Sequence, residues 1–182
     1  MTPELETRRL LLRPLALEDA GQVQLIFPHW DIVRHLADVV PWPYPADGAW
    51  QYYEHVVLPA VARGDEWHWT LRLKTQVEQI IGSIAVCKGS NNRGFWLGLA
   101  WQGQGLMSEA SVAATDFWFD TLQQPVMRIP KAAANAASRR ISEKQGMRVV
   151  ELKESGYVCG RLPTEVWEIS AEEWRLRRTV LS

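Results

Sequence analysis

Cysteine, long apolar runs and charge imbalance are all scarce in this chain, and each scarcity removes a class of protein. Only two cysteines occur in 182 residues, Cys87 and Cys159. They lie far apart in apolar or strand-like settings, which reads as two packed, reduced thiols and excludes a disulfide framework. No apolar run approaches the length of a bilayer span, and the first six residues lack the basic and apolar zones of a secretory signal. A cytoplasmic protein without a membrane partner is expected. With 20 Lys and Arg against 21 Asp and Glu, the formal net charge is −1, so the basic excess of a nucleic-acid footprint is missing. Arg8, Arg9 and Arg13 cluster locally and read as a solvated feature of one strand. No internal repeat or low-complexity segment appears. The length suits one domain, residues 1–182, able to bury about two thirds of its unfolded surface without staples.

Tryptophan is abundant, with ten residues. Some must pack a core, but Trp30, Trp42 and Trp50 fall in or beside irregular sequence, where a large ring with one polar atom lines a pocket or an interface. Pro41, Pro43 and Pro45 forbid regular structure around them. Hydrophobic periodicity and turn residues place strands near 8–14, 67–73, 79–87, 93–99, 126–133, 148–153, 156–160 and 164–170, with helices near 17–27, 30–37, 47–62, 106–117 and after Asn135.

Two segments carry chemistry. In the first, a hydrophobic strand ending near Leu99 runs through Gln102-Gly103-Gln104-Gly105 into a helix whose Leu106, Ala110, Ala113 and Phe117 form an apolar stripe, with Ser108, Ser111, Thr115 and Asp116 on the polar face. Gly103 and Gly105 allow successive amides to turn inward at a helix start, where four donors lack partners, and such a site takes a pyrophosphate. By itself the segment fits a tight strand-to-helix connection equally well. A P-loop is excluded, because no Gly-Lys-Ser/Thr follows Gly105. A dinucleotide fold fits poorly, because Ser108 occupies the third glycine position and no acidic residue closes the next strand. In the second segment, Asn135 is a good N-cap and Gly146 a good stop. Asn135, Ser138 and Ser142 share one helix face between them, although small packing serines give the same pattern.

Together and in this order, the two segments resemble the GCN5-related N-acetyltransferase (GNAT) superfamily, and within it the ribosomal-protein N-terminal acetyltransferase branch. Gln102-Gly103-Gln104-Gly105-Leu106-Met107 is similar to the family's Gln/Arg-x-x-Gly-x-Gly/Ala, with Met107 in place of the final small residue. Ser108-Glu109-Ala110 is similar to the branch's Thr-Glu-Ala. Asn135-x-x-Ser138 followed by Glu143-Lys144-Gln145-Gly146-Met147 is similar to its Asn-x-x-Ser…Glu-Lys-x-Gly-Phe. The opening Glu6–Leu15 and the closing Glu165–Trp174 extend the likeness to both ends.

The resemblance implies an α/β (α+β) GNAT fold: a mixed, mostly antiparallel central sheet of about seven strands, flanking helices, and two splayed parallel strands at the acetyl-CoA site. It implies acetyl-CoA as cofactor, with no metal. Backbone amides of residues 103–107 would hold the pyrophosphate, Leu97 and Leu99 would face the pantetheine arm, and Asn135 and Ser138 would border it. An amine acceptor, either a small molecule or a protein N-terminus, would attack the thioester directly, and a homodimer is admitted. The family's usual tyrosine proton donor is replaced by Ser142, leaving Ser138 as first and Ser142 as second candidate. No obvious base stands at Asn91-Asn92; Glu109 is the candidate, although an acid in a first helical turn is also stabilised by the dipole. His35, His55 and His68 read as packed or exposed. An acidic bias between His29 and Glu66 suits a cationic acceptor or a solvated surface equally, and Trp42, Tyr44, Trp50, Tyr52 and Tyr53 are expected as its aromatic walls. The alternative to an enzyme is a non-catalytic acyl-CoA-binding module of the same fold; a self-associating structural protein is the rival of another class.

Overall fold

The computed structural model describes residues 1–180; Leu181 and Ser182 of the expected domain lie outside them. In chain order the elements are β1 (Leu5–Glu6), β2 (Leu10–Pro14), α1 (Ala20–Ile26), α2 (Trp30–Val33) and α3 (Gly48–Tyr52), which passes through a π turn, Tyr53–Val57, into α4 (Leu58–Arg63). Then come β3 (Glu66–Leu73), β4 (Gly82–Cys87), β5 (Arg93–Leu97), α5 (Leu106–Asp116), β6 (Val126–Ala132), α6 (Ala136–Lys144), β7 (Arg148–Tyr157), β8 (Gly160–Ser170) and α7 (Ala171–Val180). Strands β1 to β5 form one antiparallel meander, and β6, β8 and β7 a second antiparallel sheet with β8 central.

Alternation along β3 explains how the first sheet is covered. Trp69 and Leu71 point to one face, with Ile84 and Val86 of β4, and pack with Leu106, Ala110 and Ala114 of α5 into the main core. Their neighbours His68, Thr70 and Arg72 point to the other face, yet they are buried as well. That face is roofed by the N-terminal helices, whose Val23, Phe27, Val33, Ala49, Tyr53 and Val57 make a second core. The Arg72 guanidinium is paired there with Asp19 at 2.7 Å and donates to Val77 O at 3.0 Å. Four tryptophans, Trp69, Trp118, Trp167 and Trp174, are buried, and each indole N–H has an acceptor: Pro3 O, Val126 O, Glu165 and Asp116.

Several expectations are revised. The chain near 30–37 holds one short helix, because the backbone after Val33 leaves it to meet the turn at Tyr157–Cys159: Val158 N donates to Leu36 O and Cys159 N to Arg34 O. The three strands expected near 148–153, 156–160 and 164–170 are two long ones joined at residues 158–159. Gly156, expected to open the strand near 156–160, lies inside β7, where a Cβ would overlap the Asp38 carboxylate. Cys159 is exposed and not packed. Ser111 and Thr115, assigned to the wet face of their helix, are buried in contact with Arg93.

Where β5 meets β6 the two sheets are stitched at one point. Asn92 N donates to Arg128 O at 2.8 Å, and the Asn92 Oδ1 accepts from Arg128 N at 2.7 Å. The Asn92 amide also donates to Cys87 O and Gly89 O, which fixes the turn before β5. From that stitch β5 and β6 run on in the same sense without pairing, so a cleft opens between Phe95–Leu97 and the Ala134–Ala136 segment.

Candidate active site

Gly103 and Gly105 take the left-handed conformation, φ +75° and +76°. A Gly–X–Gly segment alternating in this way turns its amides to one side as an anion nest. Among the described residues, none accepts a hydrogen bond from the amides of Gly103 through Ser108, and no side chain caps α5. The surrounding bonds hold the loop open from behind. Gln102 Nε2 donates to Leu97 O at 2.8 Å, Gln104 Nε2 to Ala100 O at 3.0 Å, and Arg9 Nη1 to Gln104 O at 3.0 Å. Arg9 is therefore a strut under the loop, and not the solvated charge expected of it.

These amides face a cavity of about 500 Å³ that follows the cleft between the sheets. Gln102, Gly103, Gly105, Leu106, Met107 and Ser108 form one end; Leu97, Asn135 and Ser138 line the body. Met107 sends its side chain into the core. Arg140 and Lys144, one turn apart on α6, and Arg34 add positive charge to the lining. Asn135 caps α6, its Oδ1 accepting from Ser138 N at 3.2 Å, which leaves the amide nitrogen for the cavity.

Leu99 does not join this set. Strand β5 ends at Leu97, and Leu99 opens a 3₁₀ turn with its side chain exposed. Because Gly98 N is bonded back to Ile81 O, alternation in the β4–β5 ladder turns the backbone groups of Phe95 and Leu97 away from β4 and toward the cleft, where both groups of Phe95 and the Leu97 N–H are free and the Leu97 carbonyl is taken by Gln102. Phe95 thus takes the place expected of Leu99.

Two candidate catalytic residues also sit elsewhere. Both Glu109 oxygens are bonded: Oε1 accepts from the Thr7 hydroxyl at 2.5 Å and from Arg9 N at 2.7 Å, and Oε2 from Arg9 Nε at 2.7 Å. Burial works to raise this carboxyl, but the Thr7 hydroxyl and the Arg9 amide and guanidinium outweigh it and hold it below its ordinary range. Glu109 lines neither cavity and braces Arg9. Ser142 is fully buried, and its Oγ accepts from Lys131 Nζ at 2.6 Å, so Ser138 is the serine left at the cleft. Lys131 also donates to Ser138 O at 2.9 Å.

A second cavity, about 580 Å³, adjoins the first along Phe95 and Trp96. Its floor is the sheet face bearing Glu66, His68, Ser83, Ala85, Cys87 and Gly94. Its roof is Phe27, Val39–Pro41, Tyr44 and the α3–π segment. Tyr44 lines it as expected, packed edge-on against Phe27 at 5.1 Å. Trp42 and Trp50 do not: both stay partly exposed, and Trp42 packs against Trp30. Of the acids between residues 29 and 66, Asp31 pairs with Arg34 and Asp65 with Arg63 on the surface; only Asp47 and Glu66 line the cavity. The sequence reading missed Glu66, His68 and Ser83 as a group. His68 Nδ1 lies 2.7 Å from Glu66 Oε1, and Nε2 lies 2.5 Å from Ser83 Oγ.

Residues 9–148 match the acetyltransferase (GNAT) domain family, and the chain belongs to it. No curated protein sequence matches it significantly. Among solved structures it is similar to RimL, a ribosomal L7/L12 α-N-protein acetyltransferase in complex with coenzyme A, at 15% identity and a TM-score of 0.77 over 92% of this chain and 98% of that one. A ribosomal-protein-S5-alanine acetyltransferase from Vibrio fischeri gives 13% identity and a TM-score of 0.78, covering 94% and 98%. The microcin C7 self-immunity acetyltransferase MccE, in complex with acetyl-CoA and AMP, gives 15% and 0.74, covering 90% and 93%. Among the described residues, no helix is long and apolar enough to cross a membrane, and no cluster of three His, Cys, Asp or Glu is placed to hold a metal ion.

Proposed function

We propose that this acetyltransferase binds acetyl-CoA in the cleft between β5 and β6 and transfers the acetyl group to a primary amine by direct attack within a ternary complex. The observation that carries the reading is the run of unpartnered amides from Gly103 to Ser108 at the end of a cavity that reaches a second cavity. Bound acetyl-CoA supplies an activated thioester, so no covalent enzyme intermediate is required. The chain's own residues bind, orient and handle protons.

Phosphate oxygens suit the nest and the start of α5, where unsatisfied N–H groups and the helix dipole favour negative charge, and Arg140 and Lys144 add to that field. The free N–H and C=O of Phe95 and the free N–H of Leu97 offer a β-strand edge to an extended, amide-bearing chain. An inward N–H there also polarises a carbonyl oxygen as its charge develops. Asn135 and Ser138 stand across the cleft at the start of α6, with Ser138 as hydrogen-bond or proton donor to the departing sulfur. The likeness to acetyltransferases holding coenzyme A or acetyl-CoA supports the cofactor. Titration calorimetry with coenzyme A and acetyl-CoA, followed by thiol release over a panel of amines, tests the reading. Binding with amine-dependent release supports transfer; binding without release returns the chain to a non-catalytic acyl-CoA module; no binding removes both.

A further inference from the structure

The second cavity has a chemistry of its own. Among its lining residues there is no lysine or arginine, while the Asp47 and Glu66 carboxylates are present. An anionic group carried into such a space would lose its hydration without gaining a counter-charge, at a cost that binding must absorb. An ammonium, by contrast, meets a carboxylate. The rest of the wall is aromatic and aliphatic, and its size is that of a site for a drug-sized molecule. One fully buried hydroxyl in its wall has no partner among the described residues: that of Tyr53, a residue only 3% exposed.

The floor carries a hydrogen-bonded chain from Ser83 through His68 to Glu66. Strand register builds it, since His68 and Glu66 share one face of β3 and Ser83 stands on the adjacent strand two positions from Ala85, the partner of His68. The Ser83 hydroxyl has two acceptors in reach, His68 Nε2 at 2.5 Å and Trp69 O at 3.1 Å. With a neutral imidazole, Ser83 donates to Nε2 and Nδ1–H donates to Glu66. With an imidazolium, Nε2–H donates to Ser83, the hydroxyl turns to Trp69 O, and Glu66 still accepts from Nδ1–H. The chain is hydrogen-bonded in both protonation states, as a proton store must be. The other Glu66 oxygen has no protein donor among the described residues.

We propose that Ser83, His68 and Glu66 form the relay that takes the proton from the acceptor ammonium, and that the acceptor is a primary amine on an apolar, aromatic-sized body with no anionic group beside the nitrogen. This rests on the acetyl-transfer reading above and names its substrate class. One ammonium N–H bond breaks; its proton passes to Ser83 Oγ as the serine's own proton moves to His68 Nε2, and Glu66 balances the imidazolium. The freed nitrogen lone pair forms the N–C bond to the acetyl carbonyl, the C–S bond breaks, and the second proton lost by nitrogen ends on the sulfur.

The test compares phenethylamine with phenylalanine and with a peptide bearing a free N-terminus, at saturating acetyl-CoA. Phenethylamine is expected to exceed the other two in kcat/KM by about a hundredfold or more. His68→Gln should lower kcat about a hundredfold while calorimetric affinity for coenzyme A is unchanged. The loss should shrink for β,β-difluorophenethylamine, whose ammonium is more acidic; a purely structural role for His68 would leave the defect the same for both amines. In the variant, kcat/KM should climb with pH toward the pKa of the amine itself, because only the neutral amine already present in solution can then attack. The other titratable groups facing the relay are Tyr44, Tyr52, Tyr53, His55, Cys87 and Asp47, and Glu66→Gln should reproduce the defect from a more accessible position. Equal use of phenylalanine or the peptide, with His68→Gln at wild-type rates, overturns this proposal and leaves acetyl transfer standing. Absence of thiol release with every amine overturns the transfer reading itself and this proposal with it.

Discussion

Replacing Lys131 with methionine should stabilise the protein at neutral pH and should cease to do so in alkali. Lys131 is 4% exposed on β6 and has no carboxylate in contact among the described residues; its Nζ donates to Ser142 Oγ and Ser138 O. Burial, reinforced by the Arg93 guanidinium against the opposing pull of Glu165 and Glu143, pushes its pKa from 10.5 down to about 6. The folded chain therefore carries this lysine mostly neutral at pH 7, while the unfolded chain carries it charged. At about 1.4 kcal/mol per pKa unit, that mismatch costs on the order of 5 kcal/mol at pH 7. Methionine removes the cost and forfeits two hydrogen bonds of about 1 kcal/mol each, so Lys131→Met should gain on the order of 2–3 kcal/mol. Since the unfolded state binds the extra proton between about pH 6 and 10.5, wild-type stability from this group rises with pH across that window. The advantage of the variant should shrink steadily and reverse slightly near pH 10. Urea unfolding of both proteins at several pH values measures this. Parallel stability curves, with a constant difference from pH 6 to 10, would refute the reasoning, because they would mean that Lys131 stays charged in the fold.

Gly103→Val places a β-branched residue at φ +75°; the space around a Cβ is open, so the loss should come from backbone strain, with coenzyme A affinity down about tenfold or more by calorimetry. Asn92→Ala deletes the side-chain bond that stitches β5 to β6 and the two that fix the turn before β5, and should cost about 2–3 kcal/mol in urea unfolding while weakening coenzyme A binding. Gly156→Ala drives a methyl into Asp38, the chain neighbour of Ala37 and Val39 in the wall of the second cavity; a loss of about 1–3 kcal/mol is expected, with amine KM raised more than the affinity for coenzyme A is lowered. Glu109→Gln should be less stable than wild type at neutral pH. Because the Glu109 carboxyl lies below 4.5 in the fold, its contribution is present above the unfolded pKa and lost as the pH falls through the folded one, so the two unfolding curves should converge in acid.

What the sequence disclosed was local. Gln102–Met107 and Asn135–Ser138 each sit within one turn of chain, and both lie where glycine conformation and helix capping place them. The acceptor side was hidden because it is made by strand register. Glu66, His68 and Ser83 meet only when β3 and β4 pair, and the alternation of Trp67-His68-Trp69-Thr70-Leu71 suggests one wet face where both faces are covered. Asn92 looked like a turn residue, and only the pairing of two distant strands makes it the stitch. Trp42 and Trp50 misled because aromatic size signals contact surface without saying which surface, and here Trp42 packs on Trp30. Ser111 and Thr115 were assigned to solvent by helical periodicity, but Arg93, buried on β5, needs acceptors and takes Ser111 O and Thr115 Oγ1 inside.

Backbone amide NMR during titration with coenzyme A asks the decisive question of this enzyme, because it reports on the donors themselves. The largest shifts should fall on Gly103 through Ser108, with smaller ones at Phe95, Leu97 and Asn135. Saturable binding that leaves those amides unmoved and perturbs another surface would contradict the account.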